Sequence, residues 1–156
     1  MSAVIHTLHV ALAGLWLGGV VFTTAVVSPA LKATKWSEAE RVNIRSAIGW
    51  QYARVGGINL ALLAVFALLD GTLKGFGATF YAEYALLLVL FGLVALHGAY
   101  FGRRLRMLAV AEQQAGDAEE ARSFAVQRRA LQKSSLRVSV LDLLVSVVVL
   151  ILAVNA

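Results

Sequence analysis

The sequence predicts an all-α integral membrane protein, a four-helix up-down bundle with helices two to four extended into the cytoplasm. Two observations carry that reading. The 156 residues are 60% hydrophobic and only 15% charged, against a soluble norm of roughly 45–50% and about 25%. The mean hydropathy is +0.77. A water-soluble globule of this length has too much surface for such a composition, and disorder is excluded for the same reason. Second, the apolar residues fall into four runs near the ~20 residues a bilayer-spanning helix needs. The whole chain, 1–156, reads as one transmembrane domain.

Span one covers about 4–31 and carries no Asp, Glu, Lys or Arg. It reads as a true span rather than a signal peptide, because it lacks a basic start and its apolar stretch is too long. Pro29 near its end falls where a break in the helix costs little. Span two covers about 50–69. Its helix is expected to begin near Glu38, since Ser37-Glu38-Ala39-Glu40 has the form of a capping box. Span three covers about 80–101, and no Pro or Gly interrupts Arg103 to Ala115. Asp117 with Glu120 is a second helix start, from which the chain can stay helical through span four, about 138–154. Residues 102–137 therefore form a helical hairpin beyond the lipid, with Leu105, Leu108, Phe124 and Leu131 spaced to cover one another or a partner.

Charge fixes the expected orientation. Of 14 basic residues, 13 lie between spans one and two, at the start of span two (Arg54), or between spans three and four. Both segments fall on one side of an up-down bundle, which the positive-inside rule makes cytoplasmic. The protein is thus expected in the cell inner (plasma) membrane, multi-pass, with both termini outside. Lys74 is the one basic residue on the other side. The pI near 10 reflects topology and lipid headgroups, and no nucleic acid is expected.

Titratable residues at membrane depth are site candidates by default. An outer group holds His6, His9, Asp70 and Glu83, with Tyr81 and Tyr84 beside them. His6 and His9, three apart, share a helix face. Two imidazoles and the Glu83 carboxylate suffice for a divalent metal such as copper, so the candidate metal site is His6, His9 and Glu83. The competing reading makes these residues interfacial anchors. An inner group, Arg54, His97 and Asp142, is read as a polar relay or an ion pair, with Arg54 as the cheapest partner for Asp142. Gly14, Gly18 and Gly19 offer small-residue helix packing. Asn59, Thr23, Thr24 and Ser28 are expected to hydrogen-bond between helices.

With no cysteine, disulfides, thiolate nucleophiles and iron–sulfur clusters are excluded. No nucleophile–base constellation, Walker loop or dinucleotide fingerprint is present, so a binding or transport role is preferred to catalysis, with no catalytic residue assigned.

The stretch His9 to Gly19, with Trp16 just before Gly18-Gly19, followed by Val20 to Pro29, resembles the first helix of the CopD-like copper-resistance membrane proteins and of related small four-helix membrane proteins. That resemblance implies copper uptake across the inner membrane. A fainter one, resting on His9 and a nearby Trp, is to HemJ-type protoporphyrinogen oxidases and implies haem or porphyrin. A His9–iron–His97 site is disfavoured, since parallel spans leave the two offset by ~14 residues, or ~21 Å. The expected function is binding or movement of a metal ion or small solute. The alternatives are a haem b or porphyrin-linked redox protein, or an accessory subunit. The expected partners are the lipid bilayer and a second copy or another membrane protein.

Overall fold

The computed structural model describes residues 2–156. Four rods make the molecule: α1 (Ser2–Ala33), α2 (Glu38–Lys74), α3 (Ala78–Gln114) and α4 (Ala118–Asn155). All four are long and apolar enough to cross a membrane, and the described residues contain no strand. At 1.5 Å per residue, α2, α3 and α4 are each ~55 Å long, well beyond the ~30 Å hydrocarbon layer. They extend past the bilayer as expected.

Local chemistry sets the boundaries. Ser37 forms the capping box: its Oγ accepts from the Glu40 N–H, and Glu40 Oε2 accepts from the Ser37 N–H at 2.8 Å. Asp117 Oδ1 accepts from the N–H groups of Glu119 and Glu120 at 2.9 and 2.8 Å. Gly75, at φ +100°, closes α2 with a backbone conformation that side chains disfavour. A turn of only three residues, 75–77, follows. Gly71 lets the Phe76 and Phe80 rings sit against it, since a Cβ there would lie 2.8 Å from Phe80.

Pro29 does not break α1. The preceding Phe22–Val27 is wound as a π-helix, with the Ser28 N–H reaching back five residues to the Thr23 carbonyl. The wider turn takes up the proline, which lacks a donor and crowds the carbonyl behind it. The helix ends instead at Thr34, where the backbone turns extended. A second π segment, Leu96–Gly102, interrupts α3 at a similar distance from the helix start.

Helix α1 packs on α2 and α4, and α3 packs on the same two from the opposite corner. All four contribute to the core: Trp16 and Val20, Leu60 and Leu63, Leu87 and Leu90, Val149 and Ala153. The outside is apolar as well. Leu15, Ile58 and Leu88 are each more than 60% exposed, as lipid-facing side chains should be. Polar bridges cross this core: the Trp16 indole donates to Ser146 Oγ at 2.9 Å, Asn59 Nδ2 donates to the Leu12 carbonyl at 3.1 Å, and the Tyr52 hydroxyl donates to the Trp16 carbonyl at 3.5 Å. Thr23 does not bond between helices as expected; its hydroxyl donates back to the carbonyls of Gly19 and Val20. A threonine hydroxyl in a helix can satisfy itself on the carbonyls of its own preceding turn.

At the hairpin end, Arg128 is buried where three helices meet. Its Nε donates to Glu112 of α3 at 2.7 Å and its Nη1 to Glu38 of α2 at 2.8 Å. Gln132 donates to the same Glu38 oxygen at 3.0 Å. Leu108 is buried beside this junction, with Leu105, Phe124 and Leu131 half-buried.

Candidate cation site at the short-loop end

The polar cluster lies at the end of the bundle closed by the 75–77 turn. His6 and His9 come from the first turns of α1, Asp70 and Lys74 from the last two turns of α2, and Glu83 from the second turn of α3. His9, Asp70 and Glu83 are each at most 2% exposed. Their burial follows from helix registry. Glu83 continues the inward stripe of Leu87 and Leu90, and Asp70 continues that of Leu63 and Ala67. His9 likewise continues Ala13 and Trp16.

His9 is the hub. Its Nε2 lies 2.7 Å from Glu83 Oε1, across the diagonal of the bundle. A carboxylate only accepts, so Nε2 is the donor in this contact; in the neutral ring Nδ1 is then the nitrogen with the lone pair. That Nδ1 is 3.7 Å from Asp70 Oδ2 and has no hydrogen-bond partner, and neither has Asp70 Oδ1. His6 Nδ1 lies 2.9 Å from Asp70 Oδ2. Lys74 Nζ lies 3.2 Å from that oxygen, 3.0 Å from His6 Nδ1 and 2.8 Å from the backbone oxygen of Ala156. A cavity of about 20 Å³ opens between His9, Asp70, Lys74 and Glu83, roomy enough for about one water-sized occupant.

One ligand atom each from His6, His9 and Asp70 lies within 4.8 Å of the other two. The converging set differs from the sequence-derived set of His6, His9 and Glu83 in its third member. Glu83 is present, but it grips the far nitrogen of His9. Asp70 supplies the converging oxygen because α2 packs beside α1 while α3 stands diagonally across. The Glu83 carboxylate orients the His9 ring through its hydrogen bond with Nε2.

The inner group does not assemble. Among the described residues Arg54 makes no ion pair; it is exposed, with its guanidinium 5.0 Å from the Trp50 ring. Arg54 lies on the outward face that carries Trp50 and Ile58, so it stacks on the previous turn instead of reaching inward. Asp142 is half-buried and its Oδ1 has no partner. His97 would continue the inward stripe of α3, but it falls in the wide Leu96–Gly102 turn and is exposed, with its ring 5.9 Å from that of Phe101. His9 and His97 are therefore not two ligands of one centre.

The glycines divide too. A Cβ at Gly14 or Gly18 would meet nothing within 4 Å, so neither serves packing inside the bundle. A Cβ at Gly19 would lie 2.7 Å from the Tyr52 ring, so Gly19 alone of the three admits a close neighbour. Gly56, which sequence reasoning passed over, does the same for Trp16 at 3.1 Å. Tyr81 stands exposed, whereas Tyr84 stacks on Phe80 with centroids 5.2 Å apart.

A four-helix transmembrane bundle with a buried histidine–carboxylate cluster at one end is the class of protein this architecture defines. Residues 11–114 match the family described as a domain of unknown function, DUF4149, and the chain belongs to that family. The match takes in Asp70, Lys74 and Glu83, opens two residues after His9, and stops before α4. It does not extend the first-helix resemblance to CopD-like proteins. No curated protein and no solved structure matches the chain.

Proposed function

We propose that this is a small multi-pass protein of the inner (plasma) membrane that binds a divalent metal ion of the copper or zinc kind at the outer end of its bundle. The observation that carries the reading is the pair of unpartnered buried atoms, His9 Nδ1 and Asp70 Oδ1, beside a cavity of about 20 Å³. Buried polar atoms without partners are costly, and these belong to two of the three converging donors. The donor set fits: imidazole nitrogen and carboxylate oxygen suit Cu(II) or Zn(II), whereas a soft Cu(I) relay needs thiols or thioethers. The chain has no cysteine and two methionines. Of these, Met107 lies in the part of α3 beyond the membrane.

The orientation rests on the basic residues. With 13 of 14 at the hairpin side, that end is cytoplasmic and the His–Asp–Glu cluster faces outside. Beneath the cluster, Trp16, Leu60, Leu63, Leu87 and Leu90 close the bundle. The site therefore captures an ion at the outer surface, and passage across the membrane requires the helices to part.

Metal analysis and an absorption spectrum of detergent-purified protein test this reading. Bound divalent metal is expected, lost when His6 and His9 are both changed to Ala. Equal metal in the double variant and the parent would overturn it, and a Soret band would point to porphyrin instead.

A further inference from the structure

The cluster already contains a cation. The Lys74 ammonium touches Asp70 Oδ2 at 3.2 Å and His6 Nδ1 at 3.0 Å, and these are two of the three donors that would hold a metal. We propose that Lys74 is the specificity-determining residue of this site, a tethered competitor that holds the place of the ion and admits only divalent cations able to expel it. The proposal rests on the reading of the cluster as a metal site.

Geometry makes the competition unavoidable. An ion bonded to both His6 Nδ1 and Asp70 Oδ2 at ~2.1 Å, with those atoms 2.9 Å apart, lies within about 4.3 Å of the ammonium from whichever side it enters. A divalent ion and an ammonium at that separation, away from bulk water, repel strongly. Occupancy by the ion therefore requires the lysine to leave.

The lysine is placed to leave. Its side chain is 36% exposed, it ends α2, and Gly75 follows at φ +100°. Its hold is also imperfect. His6 Nδ1 lies 2.9 Å from the acceptor Asp70 Oδ2 and 3.0 Å from the donor Lys74 Nζ. One ring nitrogen can donate to the first or accept from the second, but not both. One contact of the triangle is always unsatisfied.

Selectivity follows from charge. A monovalent ion replacing the ammonium leaves the cluster's charge unchanged, and it competes with a partner held at high effective concentration by its own chain. A divalent ion adds one positive charge beside two buried carboxylates. When no ion is bound, the ammonium keeps the Asp70 carboxylate from standing unpaired, which a buried charge tolerates poorly.

The test uses detergent-purified full-length chain and Zn²⁺ in calorimetric titration. Lys74→Met keeps the length and removes the charge. It should bind Zn²⁺ at least about tenfold more tightly than the parent, because the repulsion at close range is gone. With ionic strength held constant by choline, K⁺ should weaken Zn²⁺ binding in Lys74→Met and leave the parent unaffected. Equal affinities, or weaker binding in the variant, would overturn the competitor role while leaving the metal site standing. Absence of a K⁺ effect in the variant would overturn the selectivity. No Zn²⁺ binding by either protein would overturn the metal reading itself. A measurement on the parent needs no variant to fold: acylation of Lys74 by a water-soluble amine reagent, followed by mass spectrometry, should become several-fold faster on saturation with Zn²⁺. Lys32, Lys35 and Lys133 serve as internal controls. An unchanged Lys74 rate in Zn²⁺-saturated protein would overturn the proposal.

Discussion

At the residue scale, His9 and Glu83 depend on one another more than on anything else. Changing the contact from either side gives different results. In His9→Ala a buried carboxylate is left without its donor, and the expected loss is ~3–5 kcal/mol. In Glu83→Gln the amide oxygen still accepts from Nε2, and the expected loss is ~1 kcal/mol. Thermal unfolding in detergent should rank the two variants in that order; equal losses would mean that the 2.7 Å contact is not a charged one. A second contrast separates the glycines. Gly19→Ala presses a methyl into the Tyr52 ring and should cost ~1–3 kcal/mol, whereas Gly14→Ala meets open space and should be near neutral. The depth and shared face of the two histidines could be read from the sequence, since both follow from spacing on one helix. The partner of each could not. Asp70 and Glu83 stand at the same depth, and only the placement of α2 beside α1 with α3 on the diagonal decides which carboxylate faces which nitrogen. Trp16 and Ser146 illustrate the same limit: their bond joins α1 to α4 across 130 positions of sequence, and neither residue carries a local signal of it.

At the scale of elements, the helix starts were legible because caps are local chemistry. Ser37 and Glu40 sit three apart and bond as that spacing requires. Ser37→Ala should cost about 1 kcal/mol. The π segments were not legible. Neither Phe22–Val27 nor Leu96–Gly102 carries a sequence signal specific to a π turn, and His97, grouped with Arg54 and Asp142 by depth alone, falls in the second and is exposed. The Arg128 junction was also missed, because a lone arginine in a basic hairpin reads as a topology signal until three helices converge on it. Its hydrogen bond to Glu112, outweighing burial, and the charges of Glu112 and Glu38 raise its pKa further above the usual range. Burial pushes the Glu38 carboxyl up, but the Gln132 hydrogen bond and the charges of Arg128, Arg41 and Arg45 more than offset it and hold the pKa below 4.5. Folding therefore favours the carboxylate. Its contribution is full above the ordinary value and fades as pH falls through the lower folded value. Acidification below about 4.5 should narrow the difference in melting temperature between the parent and Glu38→Gln. Arg128→Ala should cost ~1.5–3 kcal/mol at neutral pH through its charged hydrogen bonds, read as a lowered melting temperature with the span helices intact by circular dichroism.

At the scale of the whole molecule, composition and periodicity determine the architecture, and the expected orientation rests on charge. Helix packing alone does not say which side of a bilayer each end faces, and both ends carry polar clusters. The difference is that one end carries Arg128 and twelve other cations, and the other Lys74. The positive-inside rule would hold the basic end back from translocation, and on the proposed orientation a metal bound at His6, His9 and Asp70 would come from outside. The chain has no cysteine, so a single introduced thiol reports unambiguously. Ser2 and Ser123 are both exposed and lie at opposite ends of the bundle. In intact cells, a membrane-impermeant maleimide should label Ser2→Cys and spare Ser123→Cys, which should react only after lysis. The reverse pattern would turn the bundle over. The histidine–carboxylate cluster would then draw its ion from the cytoplasm, and the Arg128 junction would face outside.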